Sequence, residues 1–388
     1  MTDLFIGRGK PTRRAYGFEE IALAPGSRTL DFELCDVSLN IGEYKLAVPI
    51  FASAMDSVVD PKIAGLMSKL GGLGVLNLQG LQTRYDNPED AYNEVVSCDN
   101  VHFVELMQKL YSAPVKEKLI AKRISEIKQY GGLAAASITP NMAKQYAPIA
   151  LEAGLDIVVI QSTVTGTEHQ SVSGGGQLDL AQFCKSTKKP VIVGNCVNFD
   201  TALKLMETGI AGLLVGIGPG AACTSRGVLG IGVPMATAIA DCAYARQLHK
   251  KNNGRDCVVI ADGGMVVGGD ICKAIACGAD AVMIGSPLAR AKEAPGQGFH
   301  WGMATPSPVL PRGTRIQVGT SGSLEQIIHG PAHIDDGTQN LVGALKTSMA
   351  TLGASDLSQM QQVEVVIAPS IITEGKVYQK AQRLGMGR

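Results

Sequence analysis

Residues 216–226 read GIGPGAACTSR, a glycine-rich run that ends on one thiol, Cys223, followed by two hydroxyls and an arginine. Glycine lets a backbone approach a ligand closely and turn its carbonyls inward. Carbonyls so turned are the donors a desolvated monovalent cation needs. A cation there, together with Arg226, favours the thiolate, which makes Cys223 a candidate nucleophile. Ser225 is the candidate catalytic hydroxyl beside it. The plain alternative is an inert, buried cysteine. Cys196, Cys257, Cys272 and Cys277 fit that alternative, whereas polar residues follow Cys223 directly.

Two further motifs suggest what the nucleophile acts on. ADGGM (261–265) sets Asp262 before Gly263 and Gly264. A carboxylate can accept both hydroxyls of a ribose, and the glycines let the backbone reach a phosphate. MIGSPLA (283–289) sets Gly285 and Ser286 ahead of a helix, where free N–H groups and the helix dipole favour an anion. A cap or turn is the alternative for each motif taken singly. Together they suggest a nucleotide monophosphate.

These residues need elements that bring them together. Short apolar runs recur at 49–55, 74–78, 133–138, 156–162, 190–195, 212–217, 257–262 and 281–286. Each is uniformly apolar, as suits a parallel strand covered on both faces. Intervening segments such as NFDTALKLMETG and VGGDICKAIACG carry helical spacing and end on glycine. Eight strand–helix units predict an α/β fold, a (β/α)8 TIM barrel forming a single domain over 1–388, with a doubly wound sheet as the alternative. Ser53, Asn77, Ser162, Asn195, Gly216, Asp262 and Ser286 then stand at strand ends, on the face where barrel active sites are built. Two stretches fall outside the repeat. Residues 79–132 hold more polar chain than one helix needs, and 287–339 are expected to form a long loop acting as a mobile flap.

The bulk composition narrows the partners. The 388 residues are 45% hydrophobic with a formal net charge of zero, which gives no basic surface for nucleic acid or an anionic membrane. No apolar run is long enough to span a bilayer. The opening MTDLFIGRGK lacks a signal-peptide core, so a cytoplasmic location is expected. Nine cysteines without CxxC pairs read as free thiols. His329 and His333 in HGPAH are separated by Gly330 and Pro331, which oppose the helix a two-histidine metal site would need.

In their order and spacing, SAMDSV (53–58), GNCV (194–197), GIGPGAACTSR, ADGG and MIGS resemble the IMP dehydrogenase/GMP reductase family, over roughly residues 10–290 and again 340–360. The pattern is most similar to a short branch of IMP dehydrogenase-related proteins. The resemblance implies that Cys223 adds to C2 of IMP, that a hydride passes to NAD, and that the covalent purine is hydrolysed to XMP on the route to guanine nucleotides. It implies potassium on Gly218, Gly220 and Cys223. Ser53 and Met55 would contact the nucleotide, Asp262 its ribose, and Gly263, Gly264, Gly285 and Ser286 its phosphate end. Asn195 and Gly216 would lie near the nicotinamide, and Gln161, Ser162, Ile217 and Gly218 complete the expected cofactor-binding set. A homotetramer or octamer is implied in the same way.

Four departures from the family pattern stand out. Residues 79–132 are too few for the regulatory CBS module usually inserted there. Gln161 stands where the family has an aspartate that holds the dinucleotide ribose. Ala221 replaces a serine that touches phosphate. The flap's Arg-Tyr pair, which activates water, has no match, and Arg312 and Arg315 are the nearest candidates. GMP reductase, which reduces GMP to IMP with NADPH, shares the cysteine loop but needs a glutamate after the barrel, where only the displaced Glu325 is found. A catalytically silent purine-nucleotide-binding paralogue is the third reading.

Overall fold

The computed structural model describes residues 4–168, 178–370 and 374–387. All eight apolar runs become strands: β1 (Ile50–Ala52), β2 (Leu73–Asn77), β3 (Ala135–Ile138), β4 (Ile157–Gln161), β5 (Val191–Cys196), β6 (Gly212–Val215), β7 (Val258–Asp262) and β8 (Ala281–Ile284). They pair in parallel, and β8 returns to β1 through Val282 opposite Ile50 and Met283 opposite Phe51. The sheet is a closed barrel, not the open doubly wound alternative.

Closure follows from the sidedness of the strands. Phe51, Leu73, Val75, Ile157, Val159, Ile192, Leu214, Ile260 and Met283 fill the barrel interior. Their neighbours Ile50, Ala52, Leu76, Val158, Val193, Leu213, Val259 and Val282 face the helices. Burial on both faces is why the strands read as unbroken apolar runs. The hairpin of Leu39–Ile41 and Tyr44–Leu46, just before β1, adds Leu39, Ile41 and Leu46 to the interior cluster and plugs its N-terminal end.

The surrounding helices are α1 (Pro61–Lys69), α2 (Glu117–Gln129), α3 (Ala143–Glu152), α4 (Leu180–Thr187), α5 (Phe199–Glu207), α6 (Met235–Asn253), α7 (Gly268–Ala276) and α8 (Leu341–Leu352). Several start on a side-chain cap. Asp60 accepts from Ile63 N, Asn198 from Thr201 N, and Asn340 from Gly343 N. No helix among the described residues is long and apolar enough to cross a membrane.

The two stretches outside the repeat turn out to be partners. Helices at Leu81–Arg84, Pro88–Ser97 and Phe103–Ser112 share a third apolar cluster with Trp301 and Phe299 from the chain after β8. Trp301 is fully buried there. Phe299–His300 pairs antiparallel with Ile316–Gln317. Arg315 completes the junction by donating to the carbonyls of Val95, Val96 and Cys98, at the C-terminal end of one of these helices. Those carbonyls lack intrahelical partners, and a guanidinium answers both their lone pairs and the helix dipole. The same group lies over the Phe103 and Phe299 rings.

Candidate active site

A cavity of about 370 Å³ opens at the C-terminal ends of the strands. Ser53 and Met55 enter it from the end of β1, Gln161 and Ser162 from β4, and Asn195 from β5. Gly216, Gly218, Gly220, Cys223 and Ser225 come from the loop after β6. Asp262, Gly263 and Gly264 follow from β7, and Gly285 and Ser286 from β8. Motifs more than two hundred residues apart thus line one space.

The carboxylate of Asp262 is the best-anchored group in it. Its Oδ2 accepts from Asn195 Nδ2 at 2.8 Å and from Gln161 Nε2 at 3.0 Å. Both amides act on the same oxygen, so the orientation of the carboxylate is fixed. Asn195 reaches it because β5 shifts register against β6 between Gly194 and Cys196, a bulge that re-aims one side chain. Asn195 Nδ2 also donates to the Gly216 carbonyl at 2.8 Å, which ties the start of the cysteine loop to the carboxylate. Burial pushes the Asp262 carboxyl up to about 6, against the opposing pull of the Asn195 and Gln161 donors.

The cysteine loop is held at both ends. Arg226 Nε donates to the Ile217 carbonyl at 3.0 Å and Nη2 to that of Val233 at 3.0 Å. Thr314, from the chain after β8, donates its N–H to the Ala222 carbonyl at 2.9 Å. Between these ties Cys223 is half-buried, with Sγ 3.2 Å from Ser225 Oγ and 3.5 Å from the Ser225 N–H. Ser225 can therefore donate to a thiolate from both its groups. Burial pushes Cys272 up to about 11 and Cys277 up to about 12, which keeps them neutral and inert.

Two expected site residues stand apart from the cavity. Ile217 is buried beneath the loop and only its carbonyl is used. Arg315 is spent on the helix-end carbonyls. Arg312, three residues earlier, does line the cavity, and its Nη1 lies 3.3 Å from Thr163 Oγ1. Thr139, Thr163, Met303 and Ala304 also line it without having been singled out. Gln161 faces Asp262, so its amide supports the neighbouring carboxylate. Among the described residues no three of His, Cys, Asp and Glu gather as a metal cluster, and His329 Nε2 meets the Leu70 carbonyl at 2.8 Å.

The model of the IMP dehydrogenase/GMP reductase domain matches residues 15–378. The chain belongs to that family. It is 39% identical over 371 residues to an uncharacterized oxidoreductase of Mycolicibacterium smegmatis, covering 93% of this chain and 99% of that one. It is 28% identical over 392 residues to the inosine-5'-monophosphate dehydrogenase of Cryptosporidium parvum, covering 88% and 89%. The crystal structure of an IMP dehydrogenase/GMP reductase-like protein from Corynebacterium glutamicum superposes with a TM-score of 0.89 at 37% identity, over 94% of this chain and 97% of that one.

The loop geometry makes a sharp mutational contrast. Gly216 has φ +145°, and a Cβ added there would stand 2.4 Å from the Asp262 carbonyl oxygen, a backbone atom that cannot swing away. Gly220 has nothing within 4 Å of an added Cβ. In urea denaturation, Gly216→Ala should lose about 2 kcal/mol or more, and Gly220→Ala should stay within about 0.5 kcal/mol of the parent.

Proposed function

We propose that this protein is an IMP dehydrogenase that oxidises IMP to XMP with NAD through a thioether-like bond between Cys223 and C2 of the purine. The observation that carries this reading is the convergence of one half-buried thiol, one anchored carboxylate and the glycine turns after β7 and β8 on a single cavity. Asp262 accepts the ribose hydroxyls through Oδ1, since its Oδ2 is taken by the two amides. Ser53 and Met55 flank the nucleotide, and the backbone at Gly263, Gly264, Gly285 and Ser286 faces its phosphate end.

The chemistry closes with what the chain supplies. The Cys223 thiolate adds to C2 as the C–S bond forms, with Ser225 beside the sulfur to hold its charge beforehand. NAD supplies the acceptor for the hydride that leaves C2. Thr139 and Thr163 line the same cavity and would offer hydroxyl oxygens to that cofactor. Water then adds to C2, loses a proton, and the C–S bond breaks to return the thiolate and release XMP. Arg312, bound to Thr163 at the cavity wall, orients that water; a guanidinium stays charged and serves as a donor rather than as a base.

Potassium fits the oxygen donors of the cysteine loop. The Gly220 carbonyl already accepts the Cys223 N–H at 3.0 Å, and its second lone pair is available. With the carbonyls of Gly218 and Cys223 it would form a neutral oxygen set suited to an alkali cation. Such an ion would hold the loop, and with it the thiol, in place.

The reductase direction needs an acid to expel ammonia. Asp262 is the one carboxyl among the described lining residues, and Glu325 lies exposed on the helix Leu324–Ile328, away from the cavity. IMP with NAD should therefore generate nicotinamide absorbance, and GMP with NADPH should consume almost none. Cys223→Ala should abolish turnover while holding IMP affinity within about tenfold. Rapid GMP-dependent NADPH oxidation by the parent, or undiminished turnover by the variant, would contradict the proposal.

Asp262 also predicts a pH dependence. Its free carboxyl sits at about 6, and hydroxyl donors favour the ionised form, so binding below that pH releases a proton. Affinity is full above about 6 and falls as the pH drops through it. Inosine, which has no phosphate to titrate, should bind about tenfold more weakly for each pH unit below 6 by calorimetry. Asp262→Asn should bind weakly with no such slope.

A further inference from the structure

Tyr111 lies outside the cavity, on the helix Phe103–Ser112, yet it meets two residues, Asp56 and Trp301, that each adjoin residues lining it. We propose that Tyr111 is a positioning residue of the active site, its hydroxyl joining Asp56 on the Met55 wall to Trp301 on the segment after β8. The proposal rests on the reading of the cavity as an active site. It names the side chain that keeps two of its walls in register.

The hydrogen bonds carry the argument. The Tyr111 hydroxyl donates to Asp56 Oδ2, and Asp56 Oδ1 accepts the Leu81 N–H at 3.2 Å. A Cβ on Gly80 would stand 2.0 Å from Oδ1, so the carboxylate is seated directly against the chain before Leu81. Asp56 is buried and follows Met55 in a turn where the Val58 and Val59 N–H groups both donate to the Met55 carbonyl at 2.9 Å. Holding Asp56 therefore holds the turn that presents Ser53 and Met55 to the cavity. Tyr111 also packs against the apolar cluster that contains Trp301, and Trp301 stands between the lining residues His300 and Gly302. The Trp301 indole N–H is buried and makes no complete hydrogen bond, but it acts on the Tyr111 oxygen against the rise that burial causes. A phenol that donates to a carboxylate keeps its lone pairs for such an N–H. The hydroxyl is thus a donor to one wall and an acceptor from the other.

The charge of Asp56 decides which way the relay points. Burial pushes its carboxyl up to about 6, opposed first by the Tyr111 bond and then by the Leu81 N–H, Arg84 and Asn77. The Arg84 guanidinium lies 5.6 Å from the centre of the Tyr111 ring, and its Nε donates to the Gln79 carbonyl at 3.0 Å. Tyr92 accepts from Gln82 Nε2 at 2.9 Å and stays protonated, held up by burial and then by Asp56, with Asp60 and Glu89 adding to the effect. His300, bonded to the neighbouring Ser57, is kept neutral by burial at about 4. Ionised Asp56 takes the Tyr111 proton and leaves the phenol oxygen to the indole. Once protonated, Asp56 can donate to that oxygen itself and displace the indole N–H.

Trp301 is the one tryptophan of the chain, so its fluorescence reads this junction with no ligand present. In the parent its emission should titrate at a pH of about 6. That transition should vanish in Tyr111→Phe, which keeps the ring and removes the hydroxyl, and in Asp56→Asn. Tyr92→Phe removes a hydroxyl bonded to Gln82 in the same cluster and should keep the transition. With IMP and NAD, Tyr111→Phe and Asp56→Asn should turn over about tenfold more slowly than the parent, and Tyr92→Phe within about threefold of it. Melting transitions establish that each variant is folded, and Asp56→Asn carries the test if Tyr111→Phe is not. A parent emission with no such transition, a transition that survives in folded Tyr111→Phe or Asp56→Asn, or equal losses of turnover in Tyr111→Phe and Tyr92→Phe would overturn the assignment. A parent that shows the transition but no turnover of IMP with NAD would instead overturn the catalytic reading of the cavity.

Discussion

One buried carboxylate organises the catalytic face. Asp262 sits where desolvation opposes its charge, and two amides from neighbouring strands answer on a single oxygen. Leaving a buried charge half-satisfied costs several kcal/mol, so the three residues must be placed together or not at all. Asn195 then passes the constraint to the Gly216 carbonyl and the cysteine loop. The position of the thiol is thereby coupled to that of the group proposed to hold the ribose. An aspartate in place of Gln161 would set two carboxylates against each other at this point. The amide avoids that conflict in this chain.

A second coupling runs through the chain after β8. Trp301 and Phe299 pack against the helices between Leu81 and Ser112, while Arg315 closes the end of one of them. His300 lies between those two aromatics in sequence but turns into the cavity. Thr314 holds the Ala222 carbonyl of the cysteine loop. Asp56, next to Met55, accepts from Leu81 N at 3.2 Å and from the Tyr111 hydroxyl, and its burial pushes it up to about 6. The helices inserted after β2 therefore support both the Met55 wall of the cavity and the segment over it.

The barrel was legible because each parallel strand is buried on both faces, which leaves an unbroken apolar run and a polar or glycine terminus. The convergence of Cys223, Asp262, Gly285 and Ser286 followed from the barrel alone. The pairing of residues 81–112 with 299–317 was not legible, because each segment buries its apolar face on a partner some two hundred residues away. Arg312 and Arg315 illustrate the same limit. They are chemically identical and three residues apart, and only the tertiary fold sends one to the cavity and the other to the carbonyls of Val95, Val96 and Cys98. The bond from Gln161 to Asp262 was not legible either, since it spans 101 residues of sequence.

The central claim is that Cys223 carries the purine as a covalent intermediate between hydride transfer and hydrolysis. Acid quenching of the protein during turnover with IMP and NAD, followed by mass mapping of the peptide around residue 223, tests it most directly. The account predicts a population in which Cys223, and no other cysteine, bears the nucleotide with one hydride removed, and none when NAD is omitted. XMP formation with Cys223 unmodified at every quench time, or an adduct on another residue, would contradict it.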